Sequence, residues 1–325
     1  MPSGIPIIDL HEFTPRDATR ASPSTRLVSN VCAAAHDWGF FYVTGHHVSP
    51  PLIDRVWTAM HAFFAAPRAD KLELLRTKSN PRGYYDRELT KNRRDLKEVF
   101  DFGRDDGMTI DGENQWPESL PVVRQTMREY FGACERLAFD VLALLSMALV
   151  SETKTLSRHF SPIHTSFIRL NYYPLEDPLD SDAKVDTPAL GDQALHHHSD
   201  AGALTLLLQD DVGGLQVQGP HGWQDVSPMA DTLVVNLGDM MQVWSNDRFT
   251  AALHRVRPVT TRPRYSIPFF FNPSYDTNYA PLPTSAGDMP RYRTINWGAF
   301  RRARADGDYA DFGHEIQVAD FRLRS

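Results

Sequence analysis

Between Val122 and Val150 the residues Met127, Phe131, Cys134, Leu137, Ala138, Val141, Leu145 and Leu149 recur at close to the 3.6-residue helical period. The spacing predicts one long amphipathic helix that supports the rest of the fold. Its most apolar part, Leu137 to Val150, is broken by Asp140 and falls short of the roughly 20 residues a bilayer crossing needs. It reads as a buried helix, and no membrane partner is expected.

Upstream, short strand-like and helical pieces alternate. Ile5 to Leu10 is rich in β-branched residues and suits a strand. Ser22 to Ser24 offer caps for a helix through Arg26 to Asp37, which Gly39 would end. Phe40 to Val43 then read as a second strand, closed by a turn at Gly45, and Pro50 and Pro51 open a second helix running towards Phe64. Glu176 to Asp192 is rich in Asp and Pro and reads as a loop.

After Leu195 the pattern changes to short β-rich runs: Leu204 to Gln209, Leu215 to Val217, Thr232 to Asn236, Met241 to Trp244, Ala251 to Val256 and Tyr265 to Phe271. Turn signals such as Gly213-Gly214, Gly238-Asp239 and Asn246-Asp247 separate them. Such spacing predicts an antiparallel sandwich or barrel. Thr294 to Arg304 reads as a helix whose Arg301, Arg302 and Arg304 form a solvated face.

Composition narrows the function more than the fold. A chain of 325 residues with 42% hydrophobic and 23% charged content is ordinary globular protein. The net charge of −7 gives no electrostatic reason to expect nucleic acid or an anionic membrane, so a small-molecule substrate is the better expectation. Cys32 and Cys134 are too few for a disulfide framework, and the opening residues lack a basic stretch followed by an apolar core, which together fit a cytoplasmic setting.

Candidate chemistry begins at His196-His197-His198-Ser199-Asp200. On extended backbone His198 and Asp200, two apart, point to the same side and can converge on one ion. His254, from a strand distant in sequence, can supply a third ligand in a sandwich. Two histidines and a carboxylate occupy one face of an octahedral metal and leave three positions open, the arrangement of Fe(II) oxygenases. Alone, a His-x-Asp pair in a chain with 13 histidines is weak evidence. Arg264-Tyr265-Ser266 repeats the two-residue spacing, so a planar guanidinium and a hydroxyl share a face able to grip a carboxylate. The same ligand set accepts Zn²⁺, because affinity alone does not select iron.

With these motifs the sequence resembles the isopenicillin N synthase-like family of 2-oxoglutarate/Fe(II) dioxygenases across nearly the whole chain. The matching segments are IPIIDL at Ile5, WGFFYVTGHHV at Trp38, RLNYYP at Arg169, HHHSD at His196, GGLQV at Gly213, NLGDMMQVWSND at Asn236, LHRV at Leu253 and RYS at Arg264. The resemblance implies a mixed α/β fold with a predominantly β core, a double-stranded β-helix or jelly roll. Residues 1–120 would form an N-terminal α/β region, 121–160 the supporting helix, 161–280 the jelly roll and 281–325 a helical tail.

The resemblance further implies that Fe(II), 2-oxoglutarate and O₂ are used, with His198, Asp200 and His254 on the metal. Arg264 and Ser266, joined by Tyr173 and Asn171, would hold the distal carboxylate of the co-substrate. The expected outcome is hydroxylation or desaturation of a small organic molecule, a specialised metabolite, by a monomeric enzyme that releases succinate and CO₂. An oxidase of the same family that needs no 2-oxoglutarate, or a catalytically silent ligand-binding relative, would carry the same motifs.

Substrate contacts are less defined. Alternation puts Phe270 on the Ser266 face, and in plant relatives acting on flavonoids an aromatic residue near this position stacks on the substrate; core packing is the simpler account of Phe269, Phe270 and Phe271. Tyr84 and Tyr85 fall where the family lines the cavity mouth. The charged run Lys91 to Glu98 reads as a solvated helix face or part of a lid. Asn236, Gly238, Asp239, Trp244 and Asn246 are explained by turns and packing, and His46, His47, His196 and His197 by structural roles, with His196 or His197 able to face the cavity.

Overall fold

Alternation along three strands shows how the sequence sorts itself into layers. In Phe40–Thr44, Phe41 and Val43 join the large apolar cluster under the helices, whereas Phe40 and Tyr42 join a second cluster on the opposite side. In Phe167–Tyr173, Ile168 and Leu170 face the helices, and Phe167, Arg169, Asn171 and Tyr173 face a cavity. Arg264–Phe271 repeats the rule: Ile267, Phe269 and Phe271 pack inward while Arg264, Ser266, Pro268 and Phe270 line the cavity. A period of two therefore gives the first strand two apolar faces in different clusters, and gives the other two an oily face and a chemical face.

The structure, a computed structural model, describes residues 4–11, 13, 23–90, 93–105, 112–150, 152–161, 163–179, 193–283, 288–309 and 316–323. The strands in chain order are β1 (Ile7–Asp9), β2 (Phe40–Thr44), β3 (Gly83–Tyr85), β4 (Leu89–Thr90), β5 (Arg93–Arg94), β6 (Glu98–Gly103), β7 (Phe167–Tyr173), β8 (Leu195–His198), β9 (Leu204–Gln209), β10 (Leu215–Gly219), β11 (Gly222–Asp225), β12 (Leu233–Leu237), β13 (His254–Val256), β14 (Arg264–Phe271), β15 (Asn278–Tyr279) and β16 (Ile295–Asn296). The helices are α1 (Thr25–Asp37), α2 (Pro50–Ala65), α3 (Arg68–Leu72), α4 (Pro121–Val150), α5 (Asp239–Trp244) and α6 (Trp297–Tyr309).

A major sheet runs β1-β2-β12-β9-β14-β7-β6-β3, and a minor sheet runs β11-β10-β13-β8. The two sheets form the jelly roll, with the second apolar cluster between them and α1, α2 and α4 covering the outer face of the major sheet. N-terminal strands β1, β2, β3 and β6 are built into that same sheet. All eight residues of the helical periodicity are buried in α4. Each fully buried leucine there contributes about 1.5–3 kcal/mol, so packing rather than propensity holds this helix. Among the described residues no helix is long and apolar enough to cross a membrane.

Several elements differ from the sequence reading. Met241 to Trp244 is not a strand but part of α5, in which Met240, Met241, Val243 and Trp244 are all buried. A run of only four residues, Met241 to Trp244, is too short for periodicity to distinguish strand from helix. Ala251 to Val256 is extended ladder only over β13. Most of the loop read at Glu176 to Asp192 lies outside the described residues, as do Lys91 and Asn92 of the charged run.

The rest of that charged run is neither a helix nor solvated: Arg94, Asp95, Lys97 and Glu98 are buried. Burial is tolerated because the charges pair. Glu88 accepts from Lys97 at 2.7 Å, from Arg169 at 2.8 Å and from Arg76 at 3.2 Å, and Asp101 accepts from both Nε and Nη2 of Arg169. Burial alone would raise the Glu88 carboxyl, but Arg169, Lys97 and Arg76 hold it well below the ordinary range.

Candidate active site

His198 ends β8 and His254 begins β13, and these two residues are direct cross-strand partners in the minor sheet. Their rings lie 4.3 Å apart by centroid. Asp200 follows in the loop after β8, and its Oδ1 stands 3.6 Å from His198 Nε2 and 3.7 Å from His254 Nε2. The three ligand atoms lie within 4.8 Å of one another, close enough for one ion.

The tautomers are fixed by the backbone. His198 Nδ1 faces the carbonyl of His196 at 2.9 Å, and His254 Nδ1 faces that of Ala252 at 3.1 Å. A carbonyl only accepts, so each Nδ1 carries the proton and each Nε2 turns a lone pair toward Asp200. Burial, and then the neighbouring His254, lowers His198 to about 3, leaving the imidazole neutral. Burial would raise Asp200, yet the two imidazoles, Asn236 and Thr205 hold it below its ordinary value. Two imidazoles that turn Nε2 toward one carboxylate suit a divalent metal and fit Fe(II).

The carboxylate is itself held. Asn236 Nδ2 on β12 donates to Asp200 Oδ2 at 2.8 Å, and Thr205 on β9 donates its hydroxyl to the same oxygen. The peptide N–H of Asp239 donates to the Asp200 carbonyl at 2.7 Å. That approach requires Gly238, since a Cβ there would meet Gly202 O at 2.2 Å and Asp200 O at 2.7 Å. The sequence suggests only turn and packing roles for Asn236, and Thr205 carries no signal there. Alternation on β12 does not say that the amide meets a ligand.

On the major sheet, Arg264 pairs across the ladder with Tyr173, and Ser266 pairs with Asn171. Arg264 is 1% exposed, and its Nη1 donates to Ser266 Oγ at 3.2 Å. Asn171 Nδ2 approaches the same hydroxyl at 3.4 Å, and the guanidinium lies 5.0 Å from the Tyr173 ring centre. Arg264 Nε and Asn171 Oδ1 are buried without a hydrogen-bond partner among the described residues. A buried cation with an unused donor is costly unless a ligand completes it, and a carboxylate has the matching geometry. The donor set therefore fits the distal carboxylate of 2-oxoglutarate.

One cavity of about 330 Å³ is lined by both His198, Asp200 and His254 and by Arg264, Ser266, Asn171 and Tyr173. Phe270 also lines it, stacked on Phe167 at 4.7 Å between ring centres. Tyr84 does not: it is fully buried beside Phe63 and donates its hydroxyl to Glu98, and burial, followed by Glu98, raises its pKa far above the ordinary tyrosine value. The expected substrate contact at Tyr84 is thus replaced by a core role, and Tyr85 lies outside the lining as well. His196 points to Asp95 at 3.2 Å, and neither it nor His197 lines the cavity.

The expectation that Arg301 and Arg304 form a solvated face is overturned, because both line the cavity. Arg304 Nη2 donates to the Ser199 carbonyl at 3.1 Å, and its Nη1 stands 3.4 Å from Asp239. A signal exists in the sequence: Trp297, Phe300, Arg301 and Arg304 share one helical face, and the two aromatic residues are buried.

The fold and the site define a class, that of jelly-roll enzymes with a two-histidine, one-carboxylate centre. Residues 164–273 match the family described as the 2OG-Fe(II) oxygenase superfamily, and residues 5–119 match the one described as non-haem dioxygenase in morphine synthesis N-terminal. The chain is 36% identical over 321 residues to the 2-oxoglutarate-Fe(II) type oxidoreductase hxnY of Emericella nidulans, covering 90% of this chain and 87% of that protein. It is 30% identical over 324 residues to gibberellin 2-beta-dioxygenase 5 of Oryza sativa subsp. japonica, covering 98% and 88%. Among solved structures it is similar to a full-length Neurospora crassa protein in complex with alpha-KG and thymine. The TM-score is 0.79 at 27% identity, over 94% of this chain and 97% of that one.

This chain belongs to the 2-oxoglutarate/Fe(II) oxygenase family. It is a 2-oxoglutarate-dependent Fe(II) dioxygenase and uses Fe(II), 2-oxoglutarate and O₂.

Proposed function

We propose that the chain couples oxidative decarboxylation of 2-oxoglutarate to hydroxylation or desaturation of one small organic molecule, a specialised metabolite. In the hydroxylation case one C–H bond, O₂ and 2-oxoglutarate become one C–OH bond, succinate and CO₂. The iron supplies activation of O₂ when bound. The rest falls to the chain's own residues.

In this reading His198, Asp200 and His254 hold the metal on one side and leave the opposite side for co-substrate, O₂ and substrate. Arg264 and Ser266 anchor the distal carboxylate, with Asn171 and Tyr173 shaping the clamp beside it. Phe270 contributes an apolar wall for the substrate. Side chains from both sheets fix approach distances in the cavity, which is where such a protein contributes to rate.

The observation that carries the reading is the buried guanidinium of Arg264, its Nε without a partner among the described residues, opening on the same cavity as His198, Asp200 and His254. The test is succinate formation from isotopically labelled 2-oxoglutarate by the Fe(II)-loaded protein in air. Turnover dependent on both Fe(II) and 2-oxoglutarate is expected, including a slow reaction without substrate. Absence of labelled succinate from protein shown to contain Fe(II) would refute it.

A further inference from the structure

The three metal ligands are not held alike. His254 begins β13, an interior strand of the minor sheet, where it pairs with Val217 of β10 on one side and with His198 of β8 on the other. Asp200 is held by Asn236, Thr205 and the Asp239 peptide. His198 instead ends β8, the edge strand of that sheet. The ladder is irregular just before it: between the pairs Leu195–Val256 and His198–His254 the chain advances three residues on β8 and two on β13. His196 and His197 therefore stand opposite Arg255 alone, in a bulge on an edge, where ladder hydrogen bonds fix the backbone least.

The aim of His198 depends on that stretch, because its Nδ1–H donates to the His196 carbonyl at 2.9 Å. What steadies His196 comes from outside the minor sheet. His196 is 8% exposed, and its Nδ1 lies 3.2 Å from Oδ1 of the fully buried Asp95. A carboxylate only accepts, so the imidazole donates. Asp95 is held in turn at three points. Its N–H donates to the Glu88 carbonyl at 3.0 Å, its carbonyl accepts from the Lys97 N–H at 3.0 Å, and its Oδ2 accepts from Lys97 Nζ at 3.2 Å. Lys97 Nζ also reaches Glu88 at 2.7 Å, and Glu88 accepts from Arg169 on β7. One carboxylate thus ties the bulge to a buried network rooted in the major sheet.

We propose that Asp95 is a positioning residue for the metal centre: it fixes His196, and through the His196 carbonyl it fixes the imidazole of His198. This rests on the reading that His198, Asp200 and His254 hold the iron. Asp95 acts at one remove from the ligands, supplying to an irregular edge strand the rigidity that the ladder gives His254.

The test is a double-mutant cycle on metal binding. Asp95→Ala and His196→Ala should each raise the Kd of Fe(II), titrated without oxygen, by about tenfold, the lower end of the range for groups that orient a ligand. The double variant should bind no more weakly than the weaker single one, since both substitutions remove the same contact. Asp95→Asn keeps an oxygen acceptor and should recover most of the affinity. The visible absorption of the Co(II)-substituted protein, which reports ligand geometry, should change in both Ala variants and return in Asp95→Asn. If Asp95→Ala does not fold, Asp95→Ser, too short to reach His196, takes its place in the cycle. Wild-type Fe(II) affinity and Co(II) absorption in the folded Asp95 variant, whatever its thermal stability, or losses that add in the double variant, would overturn the positioning role alone. Failure of the wild type to bind Fe(II), or binding unchanged by His198→Ala, would instead bring down the proposed function, and the positioning role with it.

Discussion

The side-chain amide of Asn236 donates to Oδ2 of Asp200 at 2.8 Å, while Oδ1 of the same carboxylate faces both imidazoles. One oxygen is thus anchored to the major sheet and the other is turned toward His198 and His254, where the proposed metal would sit. Partners of this kind set ligand orientation and typically change metal affinity by about 10–100-fold when lost. Asn236→Ala should therefore weaken Fe(II) binding in that range, measured by anaerobic metal titration, with the far-ultraviolet circular dichroism spectrum retained. Wild-type affinity in a folded variant would show that Thr205 and the Asp239 peptide suffice.

Arg264 offers a sharper separation of roles. Removing one partner of a buried ion pair costs about 3–5 kcal/mol, roughly 150-fold or more in affinity. Arg264→Ala should raise the Kd of 2-oxoglutarate by at least that factor, and Fe(II) affinity should stay unchanged because the guanidinium belongs to the other sheet. Unaltered co-substrate affinity would remove Arg264 from the assignment.

His198 and Asp200 are legible in the sequence because their two-residue spacing is a local property, although Asp200 lies in the loop after β8 and not on the extended strand the spacing assumes. His254 needs more: its place opposite His198 is a register of strands far apart in the chain, and only the ordered motifs of the family point to it. The helix at Asp239–Trp244 escapes a pattern reading because six residues are too few to show a period. The charged run Lys91 to Glu98 and the arginines of α6 look solvated in the sequence for a related reason. Whether a charge is buried depends on partners such as Arg169 and Asp239, which no local pattern reveals.

That buried network carries a pH signature. Glu88 is held well below its ordinary pKa of 4.5 by Arg169, Lys97 and Arg76 against the effect of burial. A carboxyl whose folded pKa is depressed contributes stability above its unfolded pKa and loses it as pH falls toward the folded one. Glu88→Gln should destabilise the protein by about 3–5 kcal/mol at neutral pH. The gap between wild type and variant should narrow as pH drops below about 4.5. Urea unfolding at neutral pH and at the lowest pH where both remain folded measures it, and a gap independent of pH would contradict the ionised network.

Arg304 connects the last helix to the metal loop. Its Nη2 donates to Ser199 O at 3.1 Å, its Nη1 donates to Gln317 Oε1 at 3.1 Å, and Asp239 lies 3.4 Å away. Asp239 in turn donates its peptide N–H to the Asp200 carbonyl, so the guanidinium fastens both sides of the turn that presents Asp200. Arg304→Ala should lower stability by about 3–5 kcal/mol, as expected for a broken buried pair, and should also weaken Fe(II) binding. Arg304→Lys keeps the charge but loses the fork, so it should recover part of the stability and little of the metal affinity. Thermal unfolding with and without Fe(II) separates the two effects: the metal-induced rise in Tm should shrink in both variants. A rise equal to that of the wild type in Arg304→Ala would mean that α6 closes the cavity without positioning the carboxylate.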